Sequence, residues 1–232
     1  VKTIGMIGGM SWESSAEYYR LMNEEVKQQL GGLHSAKCIL YSVDFQEIEQ
    51  YQAEGDWEKA GQLLGEAAQS LESAGADFII ICTNTMHKVI DIISAKITIP
   101  ILHIADATAK QIEKASLQKV ALLGTKYTME QDFYKARVEG FGIEVIVPLA
   151  DERIEVNRII YEELCLGQIE QTSKDYYLQV IENLVQSGAQ GIILGCTEIG
   201  LLIKQEDLKV PVFDTTILHA KAAVNMAIHK EE

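Results

Sequence analysis

Cys196 is the side chain in this sequence best suited to moving a proton near neutral pH. It follows the apolar run Ile192–Gly195 and precedes Thr197 and Glu198. An apolar run that ends in small polar residues reads as a buried parallel strand with its functional groups at the carboxyl end. A helix is expected to begin near Glu198. Its backbone N–H groups and dipole would lower the thiol pKa from ~8.5 toward neutrality, giving a usable thiolate base. The plainer alternative is a small buried hydrophobe. The matching group sits in an earlier segment. Ala74–Thr85 reads A-G-A-D-F-I-I-I-C-T-N-T, and Ser187–Glu198 reads S-G-A-Q-G-I-I-L-G-C-T-E. Laid together without a gap, Gly75 meets Gly188 and Thr83 meets Cys196. In open α/β sheets ligands bind at the carboxyl ends of strands. A thiol and a hydroxyl at two equivalent strand ends are therefore expected to approach one substrate from opposite faces.

The neighbours of these two residues suit the same task. A threonine hydroxyl needs a partner to act as a base, so Thr83 reads either as a proton donor or as a helix cap. Strand alternation sends Cys82 to the core unless a bulge turns it inward. Asn84, Thr85, Thr197 and Glu198 can cap helices and also hold a substrate carboxylate. Gly9-Met10-Ser11 and Gly124-Thr125 are further strand-to-helix turns. Gln52 falls in a polar stretch that reads either as a loop over the site or, more commonly for such a stretch, as a solvated surface. His87 reads as a proton shuttle or as a partly exposed helix residue. Cys38 reads as core in a central strand, and Cys165 is ambiguous. The opening G-x-x-G-G is not the dinucleotide fingerprint, and no phosphate-binding G-x-x-x-x-G-K-[ST] is present, so NAD and P-loop chemistry are rejected.

The elements that position these residues alternate between strand and helix signals, which predicts α/β folding on mainly parallel sheets. Strands are expected at Thr3–Ile7, Lys37–Val43, Phe78–Cys82 and Pro100–Ile104, then at Val120–Leu123, Ile143–Val147, Ile192–Gly195 and Val212–Asp214. Helices are expected from Ser11, over Asp56–Ala74, Thr85–Ala95, Met129–Glu139, Asp151–Leu166, Thr172–Ser187 and Thr215–His229. Gly8-Gly9 after the first strand is echoed by Gly124-Thr125. T-I-P-I-L-H-I at Thr98–Ile104 is echoed by K-V-P-V-F-D-T at Lys209–Thr215. Three segments repeat in order, so the expected architecture is two pseudo-symmetric three-layer α/β domains with the active site in the cleft between them. The X-Pro points place one domain at 1–99 plus 212–232 and the other at 100–211.

Composition narrows the class. The 232 residues are 47% hydrophobic and 23% charged, with a net charge of −14. This is the balance of a globular protein. There is no basic stripe, which argues against a nucleic-acid partner. No stretch is long and apolar enough to span a bilayer. The first residues enter a strand rather than a signal peptide, so a cytoplasmic setting with reduced thiols is expected. The four cysteines show no C-x-x-C pair and no metal-ligand spacing with histidine, so neither a metal nor a disulfide framework is expected.

C-T-N-T-M-H at Cys82–His87, G-C-T-E at Gly195–Glu198, G-G-M-S-W at Gly8–Trp12 and the duplicated halves together resemble the aspartate/glutamate racemase family over nearly the whole chain. The likeness is greatest to the enterobacterial-type amino-acid racemases. This resemblance implies a racemase of aspartate, glutamate or broader polar amino acids, without pyridoxal phosphate, metal or other cofactor, and often homodimeric. Two residues would flank the substrate Cα–H bond, one removing the proton and the other delivering one. In most members both are cysteines. Here Thr83 takes the first place and Cys196 the second. The family's polar contacts carry over to Asn84, Thr85, Thr125, Thr197 and Glu198, with Met10, Ser11 and Gln52. Many aspartate-specific members carry a lysine where this chain has Cys165. The rival readings are a single-cysteine decarboxylase or isomerase of the same superfamily, or an amino-acid-binding protein without turnover.

Overall fold

The computed structural model describes residues 1–229. In chain order the elements are β1 (Ile4–Gly8), α1 (Trp12–Leu30), β2 (Cys38–Ser42), α2 (Phe45–Glu54), α3 (Trp57–Ser73), β3 (Phe78–Ile81), α4 (Ile90–Ser94) and α5 (Ile104–Lys114). They continue with β4 (Lys119–Gly124), α6 (Lys126–Glu130), α7 (Asp132–Glu139), β5 (Glu144–Ile146), α8 (Ala150–Glu162), α9 (Gln171–Gln186), β6 (Ile192–Gly195), α10 (Ile199–Leu202), β7 (Val212–Asp214) and α11 (Thr215–Ile228). Two compact units result. One is Val1–Ile104 with the chain from His219 onward, and the other is Ala105–Leu218.

The first unit has a parallel sheet in the order β2-β1-β3, with Ile4 paired to both Cys38 and Phe78. Strand alternation divides its apolar residues. Phe78, Ile80 and Cys82 pack with Tyr18, Met22 and Val26 of α1 and with Ala220, Ala223 and Val224 of α11. Ile79 and Ile81 pack on the other face with Ile48 of α2 and with Leu64, Ala67, Ala68 and Leu71 of α3. The unit is thus three-layered. A fully buried Leu64 contributes about 1.5–3 kcal/mol through removal of apolar surface from water.

The second unit has a parallel sheet in the order β5-β4-β6-β7. Ala121, Leu123, Ile192 and Leu194 pack against Val156, Ile159 and Ile160 of α8 and Tyr177, Val180, Ile181 and Leu184 of α9. Val120, Leu122 and Ile193 point the opposite way and are equally buried. Among the described residues, no helix is long and apolar enough to cross a membrane.

The sequence repeat is a backbone repeat. Gly75 and Gly188 both take the left-handed conformation, with φ of 96° and 98°, which glycine adopts without a Cβ penalty. Each lets the chain turn from a helix end into a strand. Ala76 N–H donates to Leu71 O and Ala189 N–H to Leu184 O, each at 3.0 Å. Ile79 N–H donates to Pro100 O and Ile192 N–H to Pro211 O, each at 2.9 Å.

Those last bonds also locate the division of the chain. The expected cuts, 1–99 plus 212–232 and 100–211, followed the prolines. Instead Ile79 holds the Pro100–Leu102 stretch to the first sheet, and β7 pairs with β6 in the second. The cuts therefore fall after Ile104 and Leu218. Residues 230–232 of that expectation lie outside the described residues.

Several elements differ from expectation. Pro100–Ile104 is only an isolated bridge from Ile101 to Ile79. Thr85–Ala95 is a 3-10 turn, Thr85–Val89, followed by the short α4. The expected Met129–Glu139 helix is split at extended Gln131 (ψ 152°) into α6 and α7. The polar stretch around Gln52 is a helix, α2, capped by the Asp44 carboxylate accepting from Gln46 N–H and stopped by left-handed Gly55. β2 is an edge strand, so Cys38 is half-buried rather than central.

Candidate functional site

In the first unit the candidate residues gather at the carboxyl ends of β1 and β3. Ile7 pairs with Ile81, and Cys82 N–H donates to Ile7 O at 2.9 Å, so the turn after Gly8 lies beside Thr83. Gly9 shapes that turn with φ of 92°, and a side chain there would collide with the Val43 backbone. The Ser15 hydroxyl closes it, accepting from Gly9 N–H at 2.8 Å and donating to Ser11 O at 3.1 Å. Ser11 caps α1 by accepting from Ser14 N–H at 3.3 Å. Met10 is buried in the apolar cluster that holds Ile48 and Met86. Gln52 reaches the same place, its amide donating to Met86 Sδ at 3.0 Å. It is a buried helix residue rather than part of a surface loop, because the Ile48–Gln52 side of α2 faces the core. Thr83 is half-buried, whereas Asn84 and Thr85 are buried. Cys82 is fully buried in the α1–α11 layer, and burial pushes its thiol far above the usual range.

His87 lies in the 3-10 turn Thr85–Val89 and is buried rather than partly exposed. It is buried with His103 and His219, its ring centroid lying 4.5 Å and 5.9 Å from theirs. Burial, reinforced by the two neighbouring imidazoles, pulls its pKa well below the usual 6.5. Burial likewise lowers His219 to about 4. Both rings are therefore neutral at physiological pH.

In the second unit Gly124 pairs with Gly195, so Thr125 and Cys196 follow at adjacent strand ends. Thr125 caps α6, its hydroxyl accepting from Thr128 N–H at 3.4 Å. Thr197 accepts a hydrogen bond from the Thr216 hydroxyl at 3.1 Å. Cys196 is half-buried against the apolar layer that includes Cys165 and Tyr177. Its thiol donates to Glu198 Oε2 at 3.0 Å. The expected lowering of its pKa is reversed. Desolvation raises it well above the ordinary thiol value, and the negative charge of Glu198 adds to the rise. The helix that follows is only four residues long, Ile199–Leu202, so its dipole is weak and a carboxylate stands in front of it. At rest this site holds a thiol hydrogen-bonded to a carboxylate, with the proton on sulfur.

Ser14, His103, His219 and Thr216 support these strand ends without having been singled out in the sequence. His103 had a signal, since it occupies the place in the X-Pro repeat that Asp214 fills in the second half. Among the described residues, no group of three or more His, Cys, Asp or Glu is placed to hold a metal ion.

The Asp/Glu/hydantoin racemase profile matches residues 7–223. A Yersinia pestis protein assigned as an Asp/Glu racemase is 61% identical, with a TM-score of 0.93 over 99% of this chain and 100% of that one. An aspartate racemase homologue from Pyrococcus horikoshii OT3 is 40% identical, with a TM-score of 0.87 over 99% and 100%. The broad-specificity amino-acid racemase RacX of Bacillus subtilis is 26% identical over 170 residues, 73% of each chain. The chain belongs to the Asp/Glu/hydantoin racemase family.

Proposed function

We propose that this protein is a cofactor-independent racemase of amino acids, with Cys196 and Thr83 exchanging the α-proton on opposite faces of the substrate. The observation that carries the reading is the equivalence of the two positions. Cys196 directly follows β6 and Thr83 stands one residue beyond the end of β3, yet the two are equally spaced from Gly188 and Gly75, in units that repeat the same glycine turn and the same backbone bonds. Gly75 and Gly188 fix the entry to each strand, so Thr83 and Cys196 are carried the same distance along the chain from the two turns.

The Cys196–Glu198 pair supplies the acid–base chemistry on one face. Passing the thiol proton to Glu198 leaves a thiolate. The thiolate takes the α-proton, and the C–H electron pair stays on the substrate as an enediolate-like anion. In reverse, an alkoxide at Thr83, formed by loss of its proton to solvent, takes the α-proton and the protonated thiol delivers one to the opposite face. On the other face the Thr83 hydroxyl gives a proton to carbon and recovers it from solvent. Asn84, Thr85, Thr125 and Thr197, with Met10, Ser11 and Gln52 around the first strand ends, bind the substrate and stabilise charge growing on its carboxylate. Because enantiomers are equal in energy, kcat/KM must match in the two directions. The individual kcat values need not, and the difference between thiol and hydroxyl makes them unequal.

Cys165 stands where aspartate-selective relatives carry a lysine, and it packs into the apolar layer beside Cys196. That favours neutral polar amino acids over dicarboxylic ones. A reduced thiol at Cys196 suits the cytoplasm. The homodimer implied by the family is supported by β2, an edge strand that exposes Leu40 and Tyr41 and has no charged residue between Cys38 and Ser42.

The test is loss of the α-proton signal by NMR for a panel of L- and D-amino acids in D2O. Exchange together with inversion is expected, and Cys196→Ala abolishes both. Persistent exchange in that variant would sink the scheme. CO2 release from a substituted malonate without amino-acid exchange would point to single-cysteine decarboxylation, and binding without turnover to a receptor.

A further inference from the structure

The backbone around Thr83 is held by two side chains that the reaction itself does not use. The Ser14 hydroxyl of α1 donates to Cys82 O at 2.8 Å. His87 Nδ1 lies 2.9 Å from Thr83 O. A carbonyl can only accept, so Nδ1 carries the proton. The other nitrogen of the neutral ring, Nε2, then accepts from Ile104 N–H at 3.3 Å. His219 is fixed in the opposite tautomer. Its Nε2 donates to Leu102 O at 2.9 Å, which leaves Nδ1 to accept from the Tyr18 hydroxyl at 2.8 Å. His103 lies against the His87 ring. Two successive carbonyls, at Cys82 and Thr83, are thus tied to side chains, one from α1 and one from the turn that follows the strand. The imidazoles link that strand end to Leu102 and Ile104, where the chain leaves the first unit.

We propose that Ser14 and His87 are positioning residues that clamp the Cys82–Thr83 backbone and so aim the Thr83 hydroxyl at the substrate. The proposal rests on the racemase reading above. The clamp suits an acid–base site because neither side chain carries charge. It fixes a backbone direction without adding a competing proton donor to the site.

Two substitutions separate the bonds of His87. In His87→Asn the amide nitrogen replaces Nδ1 and keeps the bond to Thr83 O while losing the one from Ile104. In His87→Gln the amide reaches the Nε2 position and keeps Ile104 while releasing Thr83. A misplaced Thr83 leaves Cys196 able to remove and return hydrogen on its own face. The ratio of α-hydrogen exchange to inversion in D2O is therefore the readout. We expect His87→Gln to lower inversion by about ten- to a hundredfold, with KM changed less than about twofold and the exchange-to-inversion ratio raised. His87→Asn stays nearer the wild type in that ratio even where it is the less stable protein. A merely structural histidine would instead give losses that follow thermal stability, with the ratio unchanged. That result overturns the proposal.

Should the His87 variants fail to fold, Ser14→Ala carries the test. A raised ratio supports the clamp, and an unchanged ratio overturns it. If the wild type exchanges no α-hydrogen, the functional reading has failed. The tautomers, read from 15N-histidine spectra, then decide the clamp separately. Nδ1–H at His87 with Nε2–H at His219 supports it, and the reverse assignment overturns it.

Discussion

Replacing His219 with glutamine should flatten the acid sensitivity of the first unit by a calculable amount. His219 is completely buried, and burial lowers its folded pKa to about 4 against 6.5 in the unfolded chain. As pH falls through about 6.5 the unfolded chain binds this proton and the folded one does not. Stability is therefore full above that value, declines below it, and reaches its floor below about 4. Linkage between those two values gives a loss of about 2 kcal/mol on going from neutral pH to pH 5. Glutamine at 219 keeps a donor for Leu102 O and removes the titration. The measurement is urea unfolding at pH 7 and pH 5, followed by tryptophan fluorescence. Trp12 and Trp57, the 2 tryptophans of the chain, both lie in the first unit, so the signal isolates it. With a denaturant slope of about 2 kcal/mol/M, the wild-type midpoint should drop by about 1 M more than that of the variant. Equal drops would show that His219 is already charged, or already exposed, in the folded protein. Neutral imidazoles in this cluster would then be ruled out.

Other outcomes follow from the same structure. Glu198→Gln removes the carboxylate that raises the Cys196 pKa, so alkylation of Cys196 by iodoacetamide at pH 8 should accelerate. Racemisation should fall by about 10²- to 10⁴-fold, the usual range for a lost acid–base partner; slower or unchanged alkylation would contradict the Cys196–Glu198 hydrogen bond. Gly75→Ala and Gly188→Ala should each cost about 1–2 kcal/mol in chemical denaturation, because each forces a Cβ into the same left-handed backbone with no steric clash at either site. Clearly unequal costs would argue against equivalent turns. Thr83→Cys restores a thiol on the first face and should raise kcat in the direction that starts there, read as initial rates from each enantiomer. No change would mean that Thr83 does not touch the reacting proton.

The parts of the fold written in local sequence were legible. Phe78–Ile81 and Ile192–Gly195 are buried on both faces, so they read as continuous apolar runs, and Gly75 and Gly188 announce them. α2 was harder to read. Only Ile48 and Gln52 of its ten residues are buried, which leaves too thin an apolar stripe to stand out, although Asp44 and Gly55 bracket it with ordinary caps. The candidate residues stood out as a set because polar groups at strand ends must cap, bind or react. Their electrostatics were not. The pKa of Cys196 turns on whether the helix after it runs for four residues or twelve, and on where the Glu198 side chain points. His87 depends on partners at 103 and 219, whose proximity only the folded first unit creates.

The two strand ends share a backbone and differ in what stands behind them. Behind Thr83 are neutral rings whose protons are committed to carbonyls. Behind Cys196 is the Glu198 side chain, which accepts a hydrogen bond from the thiol. In the proposed mechanism the first arrangement would fix direction and the second would give the thiol proton a place to go. A hydroxyl is tolerable at position 83 only if its placement is strict, since its intrinsic basicity is so low. The asymmetry in support therefore matches the asymmetry in chemistry, with the weaker proton-transfer group receiving the more rigid mount.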